Sequence, residues 1–416
     1  MGDNRMGTAK YRLGWTIFSL AIFAAATGRA QESLPSREEM WRVIQAQQKE
    51  IDALKAAQTS AVNRVVAAEE KIEATGAVLT QQLEKTDTAP AGWWTDTSIG
   101  GYGEMHYNGG RKDEIDFHRF VLFVEHQFTD DIRFFSEVEI EHTVSGEGQK
   151  GVAQLEQAFV EFDLAGKQKA QAGLFLLPIG ILNETHEPPT YYGVERNNVE
   201  VNIIPTTWWE GGAQVLGELG GGFSYNMAVH SGLDVATAGA NAFRPRNGRQ
   251  KVAEAPANDP AITARLRWNG MAGVELGVSG QYQNDITQNA VDTEAFLIET
   301  HADIRRGPWG LRALYARWDI DGAAAKALGR DEQYGWYGEP SYRFPIAFGE
   351  LGLFARYSMW DNQAGDARDS KFAQTQFGLN FWPHPDVVLK ADYQFDDAPV
   401  STAEDDRLNL GVGLQF

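Results

Sequence analysis

The 416-residue chain has no cysteine, 43 glycines, 11% aromatic residues and a formal charge of -20. Without cysteine there is no disulfide framework and no thiolate ligand or nucleophile, and the acidic balance argues against a nucleic-acid partner. A mean hydropathy of -0.38 excludes a bundle of transmembrane helices, but not a transmembrane barrel, whose lumenal face is polar.

Residues 1–30 read as a secretory signal peptide. Arg5, Lys10 and Arg12 precede an apolar run from Leu13 to Ala26, and Gly28 and Ala30 offer small residues around a cleavage point. The run is too short and too poorly flanked for a good membrane helix, so the mature protein is expected outside the cytoplasm. Over 36–83 the apolar period becomes that of a heptad seam, through Met40, Ile44, Ile51, Leu54, Val65, Ile72 and Leu79. Gln47 and Gln58 fall inside the seam, where polar side chains fix register at some cost in stability. A coiled coil is expected there, followed by a linker at 84–96 that contains Ala89, Pro90, Ala91 and Gly92.

From Trp93 onward apolar and polar residues alternate with the period of a strand. Ile132, Phe134, Val138 and Ile140 oppose Arg133, Glu137, Glu139 and Glu141, and Ala158, Val160, Phe162 and Leu164 oppose Glu161 and Asp163. The pattern predicts an all-β barrel over 97–416 of about 16 antiparallel strands, from 97–108 and 115–128 to 386–396 and 406–416. Most are close to the roughly 9–11 residues that cross a bilayer with tilt. Tight connections such as Thr129-Asp130, Asn269-Gly270 and Gly307-Pro308 alternate with long polar ones at 177–209, 232–259, 285–292, 321–332, 362–370 and 397–405. Short turns on one rim and long loops on the other are the pattern of an outer-membrane barrel. Such a sheet must close, because no backbone group in the bilayer finds water. The terminal strand is expected to pair with 97–108, and Phe416 resembles the C-terminal signal by which such barrels are recognised for assembly. Trp268, Trp309, Trp318, Trp336, Trp360 and Trp382 lie toward strand ends and are expected in interfacial girdles.

Function should then reside in the lumen, since sixteen strands leave an aqueous channel. Strand parity points Arg265, Arg267, Arg305, Arg343, Arg356, Lys390 and Arg407 inward, with Glu104, Glu137, Glu139, Glu141, Glu161, Asp163, Glu275, Glu299, Asp303, Glu339 and Asp392. Around 117–125 the parity is mixed, because Arg119 and Glu125 fall with Phe117, Val121 and Phe123. Interleaved charges of both signs set a field across a pore. The longest connection, 177–209, starts apolar and continues through Asn183, Glu184, His186, Glu187, Tyr191, Tyr192, Glu195 and Arg196. It is expected to fold against the inner wall as a constriction, with an exposed surface loop as the alternative. Arg244, Arg246, Arg249 and Lys251 are expected to draw anions or lipopolysaccharide phosphates toward the mouth.

The stretches DFHRFVLFVEHQFTDDIRFFSEVEIEH (116–142), LEQAFVEFDL (155–164), AGLFLLPIGILNETHEPPTYYGVER (172–196) and IIPTTWWEGG (203–212) resemble the phosphate-selective porin O/P family. So does the order of signal, coiled coil and barrel. The resemblance implies a sixteen-stranded barrel, a homotrimer with a three-stranded coiled coil in the periplasm, and anion conduction past basic lumenal residues. Here the walls carry no dense inward arginine ladder, and the third strand presents Glu137, Glu139 and Glu141.

Catalysis is not expected. There is no Gly-x-Ser-x-Gly elbow and no phosphate-cradling loop. His106, His118, His126, His142, His230 and His301 are scattered over several strands, without metal-ligand spacing, and are expected as polar lining, with no metal or cofactor. The expected function is passive diffusion of small hydrophilic solutes or ions across the outer membrane, with an anion or phosphate preference as its finer form. The expected surroundings are outer-membrane lipid and lipopolysaccharide. The alternatives are a non-conducting receptor, a barrel enzyme, or an envelope tether acting through the coiled coil.

Overall fold

The structure, a computed structural model, describes Trp41 and residues 92–416 apart from 144–147, 149 and 401. The expected signal peptide at 1–30 and, apart from Trp41, the expected coiled coil at 36–83 lie outside the described residues. Sixteen strands follow in order: β1 (Thr97–Gly109), β2 (Asp113–Thr129), β3 (Ile132–Glu141), β4 (Val152–Asp163), β5 (Gln168–Leu176), β6 (Trp209–Gly220), β7 (Phe223–His230), β8 (Ala261–Met271), β9 (Val274–Gln283), β10 (Glu294–Arg306), β11 (Trp309–Asp321), β12 (Glu332–Ile346), β13 (Gly349–Asp361), β14 (Phe372–His384), β15 (Val387–Asp397) and β16 (Arg407–Gln415). Each pairs antiparallel with the next, and β16 pairs with β1 to close the barrel.

Closure follows the expected pairing of the terminal strand with the first. Tyr102–Gly109 stand opposite Gln415–Leu408, and Phe416 exchanges backbone hydrogen bonds of 2.9 Å with Gly101 in both directions. On β16 Leu408, Leu410 and Leu414 are exposed while Asn409 is fully buried, the expected alternation of lipid and lumen. The same outward apolar band continues around the wall, as in Val138, Ile140, Leu266, Val278, Ile298, Leu353 and Leu389.

Two mid-strand bulges break the alternation, the other register shifts lying at hairpin ends. Opposite β1 the register shifts between Glu104 and His106, so that Arg119 and Asp116 take consecutive inward places on β2. Phe117 is thereby turned outward, while Arg119 and Val121 are buried inside. Strict period-two reading of β2 fails for this reason. A second shift, between Glu137 and Val138, lies in β4 and places Glu156 inside beside Gln157.

The apolar core lies within the barrel. Ala295, Leu297, Leu314, Ala316, Trp318 and Tyr337 from β10, β11 and β12 meet Leu177, Ile179, Val199, Ile203, Ile204 and Trp208 from the long connection, with Leu233, Val235 and Phe243 behind them. Burying each of these larger side chains contributes about 1.5–3 kcal/mol, which is what draws the connection inward.

Candidate functional site: a lumen crossed by the 177–208 segment

The segment is tied at its neck, at its middle and at its far side. At the neck, Leu177 N–H donates to Trp208 O at 3.0 Å. Asn183 closes the same neck: its Nδ2 donates to Leu177 O (2.8 Å) and Trp208 O (2.9 Å), and its Oδ1 accepts from Trp208 N–H (2.7 Å). Asn183, expected to line the pore, is fully buried and shapes the segment from behind.

In the middle, the one-turn helix Val199–Asn202 places Glu200 among donors. Its Oε2 accepts from the N–H groups of Ile181 (2.9 Å) and Leu182 (2.6 Å), and its Oε1 from Tyr337 (2.8 Å) and Asn197 (3.1 Å). Gly180 makes the approach feasible: it has φ +79, and a Cβ there would stand 2.7 Å from Glu200 Oε2. Burial pushes the Glu200 carboxyl upward against these donors, which favour its charged form.

On the far side the wall itself holds the backbone. Lys390 Nζ donates to Gly193 O (2.8 Å) and stands 3.5 Å from the Tyr191 ring centre. Arg356 reaches Tyr192 O (3.3 Å) and Glu195 O (3.2 Å) while pairing with Glu339 at 2.9 Å. Arg312 donates to Thr190 O at 3.0 Å, and Asp392 accepts from Val194 N–H at 2.7 Å. The wall beneath is cut back to glycine: Cβ atoms added at Gly411 and Gly413 would lie 3.2 Å from Val194 and 2.2 Å from Pro188.

Two of the tryptophans expected in an interfacial girdle serve the segment instead, and a third turns inward. Trp318 Nε1 donates to Ile203 O (2.9 Å) and its ring packs on Trp208, while Trp382 Nε1 donates to Pro189 O (3.2 Å). Trp360 is buried inside and stacks on Phe372. Trp93, Trp94, Trp309 and Trp336 are exposed, as a girdle requires. A buried indole needs a partner for its N–H, and the segment's carbonyls supply it for Trp318 and Trp382.

Two vestibules flank the segment. On the short-turn side, a cavity of about 810 Å³ is lined by Glu184, Tyr191, Arg265, Arg267, Arg305, Arg312 and Arg343 among others. Its cations are paired: Arg265 with Glu184, Arg267 with Glu275 (3.6 Å), Arg305 and Arg312 with Asp303 (3.0 and 2.9 Å), and Arg343 with Glu350. Arg305 and Arg343 share the inward parity but stand at the rim, two-thirds and two-fifths exposed. On the long-loop side, a cavity of about 300 Å³ is lined by Arg119, Arg196, Arg246, Arg249, Lys251 and Arg407 against Glu141, Glu156 and Glu195.

The long-loop cations make different bonds. Arg246 donates to Val201 O (2.6 Å) and Thr206 O (3.1 Å), and Arg249 to Pro205 O (3.1 Å) and Thr207 O. Arg196 donates to Thr207 Oγ1 (2.7 Å) and Lys251 to Gln154 Oε1 (2.7 Å). The partners of these four cations are neutral, whereas Arg119 pairs with Glu104 and Arg407 with Asp405 (3.5 Å) in the same cavity. Burial, then the neighbouring charges of Arg249 and Arg244, push the Arg246 guanidinium down to about 10. The run expected to attract anions at the mouth therefore reaches down to the 177–208 segment, with Arg246 and Arg249 bracing it. Glu187, half-buried, occupies the turn before Pro188 and accepts from Thr190 through its carbonyl (2.9 Å). Glu195 accepts from Asn108 (2.8 Å) and meets His106 at 3.3 Å. Burial would raise its carboxyl, but hydrogen bonding and charge from His106 hold it well below the usual range.

Several groups escape sequence parity. Arg119 and Glu156 are hidden by the bulges, and Arg312 by β11, whose inner face is otherwise apolar. His106, His118 and His142, expected apart, come together: His118 stacks on His106 at 4.8 Å and meets His142 edge-on at 5.6 Å. The residue spacing carries no sign of this, since the three rings come from β1, β2 and the turn after β3.

A closed sixteen-stranded antiparallel barrel with a lipid-facing apolar band and a charged interior defines a channel of the porin type, set in the outer membrane. Residues 100–416 match the family described as phosphate-selective porin O and P, and the chain belongs to that family. A relative from Aquifex aeolicus, an uncharacterized protein, is 31% identical over 72% of this chain and 76% of its own length. Among solved structures, the anion-selective porin from Comamonas acidovorans superposes with a TM-score of 0.55 at 12% identity, over 77% of this chain and 99% of that one. The in-vitro folded, trimeric outer membrane protein OmpT of Vibrio cholerae superposes with a TM-score of 0.51 at 10% identity, over 77% and 99%.

Proposed function

We propose that this outer-membrane channel prefers small anions, phosphate among them, and that the 177–208 segment is its constriction. The observation that carries the reading is the bonding of the long-loop vestibule. Three of its arginines, Arg196, Arg246 and Arg249, spend their hydrogen bonds on backbone carbonyls and a threonine rather than on a carboxylate, whereas Arg119 and Arg407 pair with Glu104 and Asp405. The family's description and the anion-selective porin of Comamonas acidovorans support the same preference. The candidate lining residues Glu184, Glu195, Arg196, Arg265 and Arg267 edge the two cavities, whereas Arg356 and Lys390 act by fixing the segment.

In the same reading the protein assembles as a homotrimer surrounded by lipid and lipopolysaccharide, with the 36–83 coiled coil joining three chains in the periplasm. The trimeric form of the Vibrio cholerae protein supports this assembly. The deciding experiment is the reversal potential of the reconstituted protein across a KCl gradient, followed by phosphate titration of the chloride current. The expected sign is that of an anion-preferring pore, with current reduced by phosphate. A cation-preferring potential would overturn the reading.

A further inference from the structure

Behind the segment, three side chains from separate elements converge on one point. His186 comes from the segment, Glu137 from β3 and Glu156 from the bulge of β4. Their ligand atoms lie within 4.8 Å of one another, with His186 Nε2 at 3.8 Å from Glu137 Oε1 and 3.7 Å from Glu156 Oε2. Those separations are too long for hydrogen bonds. All three residues are at most 3% exposed, and among the described residues these same three atoms have no hydrogen-bond partner. Buried polar atoms without partners are costly, and three aimed at one place describe a ligand set.

The atoms facing away from that place are satisfied. His186 Nδ1 lies 3.2 Å from Asn183 O, which makes it the donor and aims Nε2, the nitrogen that would ligate a cation, toward the carboxylates. Glu137 Oε2 accepts from Gln157 Nε2 at 2.7 Å. Charge points the same way. Glu104 and Glu139 stand nearby, and Arg119 already pairs with Glu104 and lies 3.7 Å from Glu139. Arg249, the other cation facing this cluster, donates to segment carbonyls. Tetrahedral donors around a cation at ~2.1 Å stand about 3.4 Å apart, and the two distances from His186 Nε2, 3.8 and 3.7 Å, are close to that.

We propose that Glu137, Glu156 and His186 bind one divalent first-row transition cation, of the Zn²⁺ or Co²⁺ kind, which fastens the 177–208 segment to the barrel wall. One imidazole and two carboxylates suit such a cation better than Ca²⁺ or Mg²⁺, which take oxygen ligands. The second cluster, Asp116, His118 and His142, is the natural control. It is half-buried, and its Asp116 already lies within hydrogen-bond distance of both rings, at 3.2 and 2.8 Å.

The test uses full-length folded protein, stripped with a chelator and titrated with Co²⁺, read by its visible absorption and by metal content. The expected result is one tightly held Co²⁺ per chain, displaced by Zn²⁺. Glu156→Gln and His186→Gln, each checked for folding by circular dichroism, should weaken binding by about 100-fold or more. The double variant His118→Gln/His142→Gln should leave it unchanged. No bound metal in folded wild-type protein, binding that survives both Glu156→Gln and His186→Gln, or binding abolished by the His118/His142 variant would each overturn the proposal. None of these readings depends on whether the pore conducts anions.

Discussion

The two vestibules contain similar numbers of cations but treat them differently. On the short-turn side every arginine named above faces a carboxylate, so Arg265, Arg267, Arg305, Arg312 and Arg343 contribute little net field. On the long-loop side Arg196 and Arg246 are held by neutral oxygens, as is Arg249, which also faces the acids of β3 and β4. An inventory of inward charges cannot separate these cases. What matters is the partner, because a paired charge is screened at contact distance while an unpaired one acts across the pore.

The contrast can be broken most strongly by removing the partition. Glu200→Ala leaves the N–H groups of Ile181 and Leu182 and the hydroxyl of Tyr337 without their acceptor, a loss of about 1–3 kcal/mol for each group left unsatisfied. The segment should come away from β12, and single-channel conductance should rise severalfold with noisier open levels. Unchanged conductance would mean that the segment is held without Glu200.

Arg196→Glu should give the next largest effect. It reverses a charge on the long-loop side, and reversal potentials in a KCl gradient should move toward cations, most at low ionic strength, where screening is weakest. Arg267→Gln on the opposite side should move them far less, because it frees Glu275 only at a site that is one-third exposed. Equal shifts from the two variants would erase the distinction between the vestibules.

The smallest effect concerns pH. His106 holds the Glu195 carboxyl below its ordinary range. The stabilisation from this contact is therefore fully present above the unfolded glutamate value of ~4.3, and is lost only as pH falls through the depressed folded value. Between pH 7 and 5 the selectivity should be flat with respect to Glu195, and Glu195→Gln should behave alike at both ends of that window. A wild-type step in reversal potential near pH 5 that is absent from Glu195→Gln would contradict this.

Much of the barrel was legible without coordinates. Each expected strand is present with its ends displaced by at most two residues, because alternation, turn residues and bilayer thickness are local constraints. The inward parity of Glu137, Glu139, Arg265, Arg356 and Lys390 follows from the same period. It failed at β2, where one extra residue reverses every facing beyond it, and on β4 it held for Glu161 but missed Glu156 at the bulge. It failed also for Trp318 and Trp382, since a tryptophan near a strand end satisfies a lipid rim and an inner hydrogen bond equally well on paper.

The sequence by itself determined that this chain is a membrane barrel of the porin type, because a period of two with one apolar face leaves few other solutions for so many strands. Only the tertiary structure decided what each inward side chain touches. Lys390 meets Gly193, 197 residues away in the chain, and Trp382 meets Pro189 at a separation of 193. Such partners are chosen by the closure of the sheet and by the apolar packing that draws 177–208 inside, and no local pattern encodes them. The same closure brings His186 against Glu137 and Glu156, where spacing along the chain showed three unrelated polar residues.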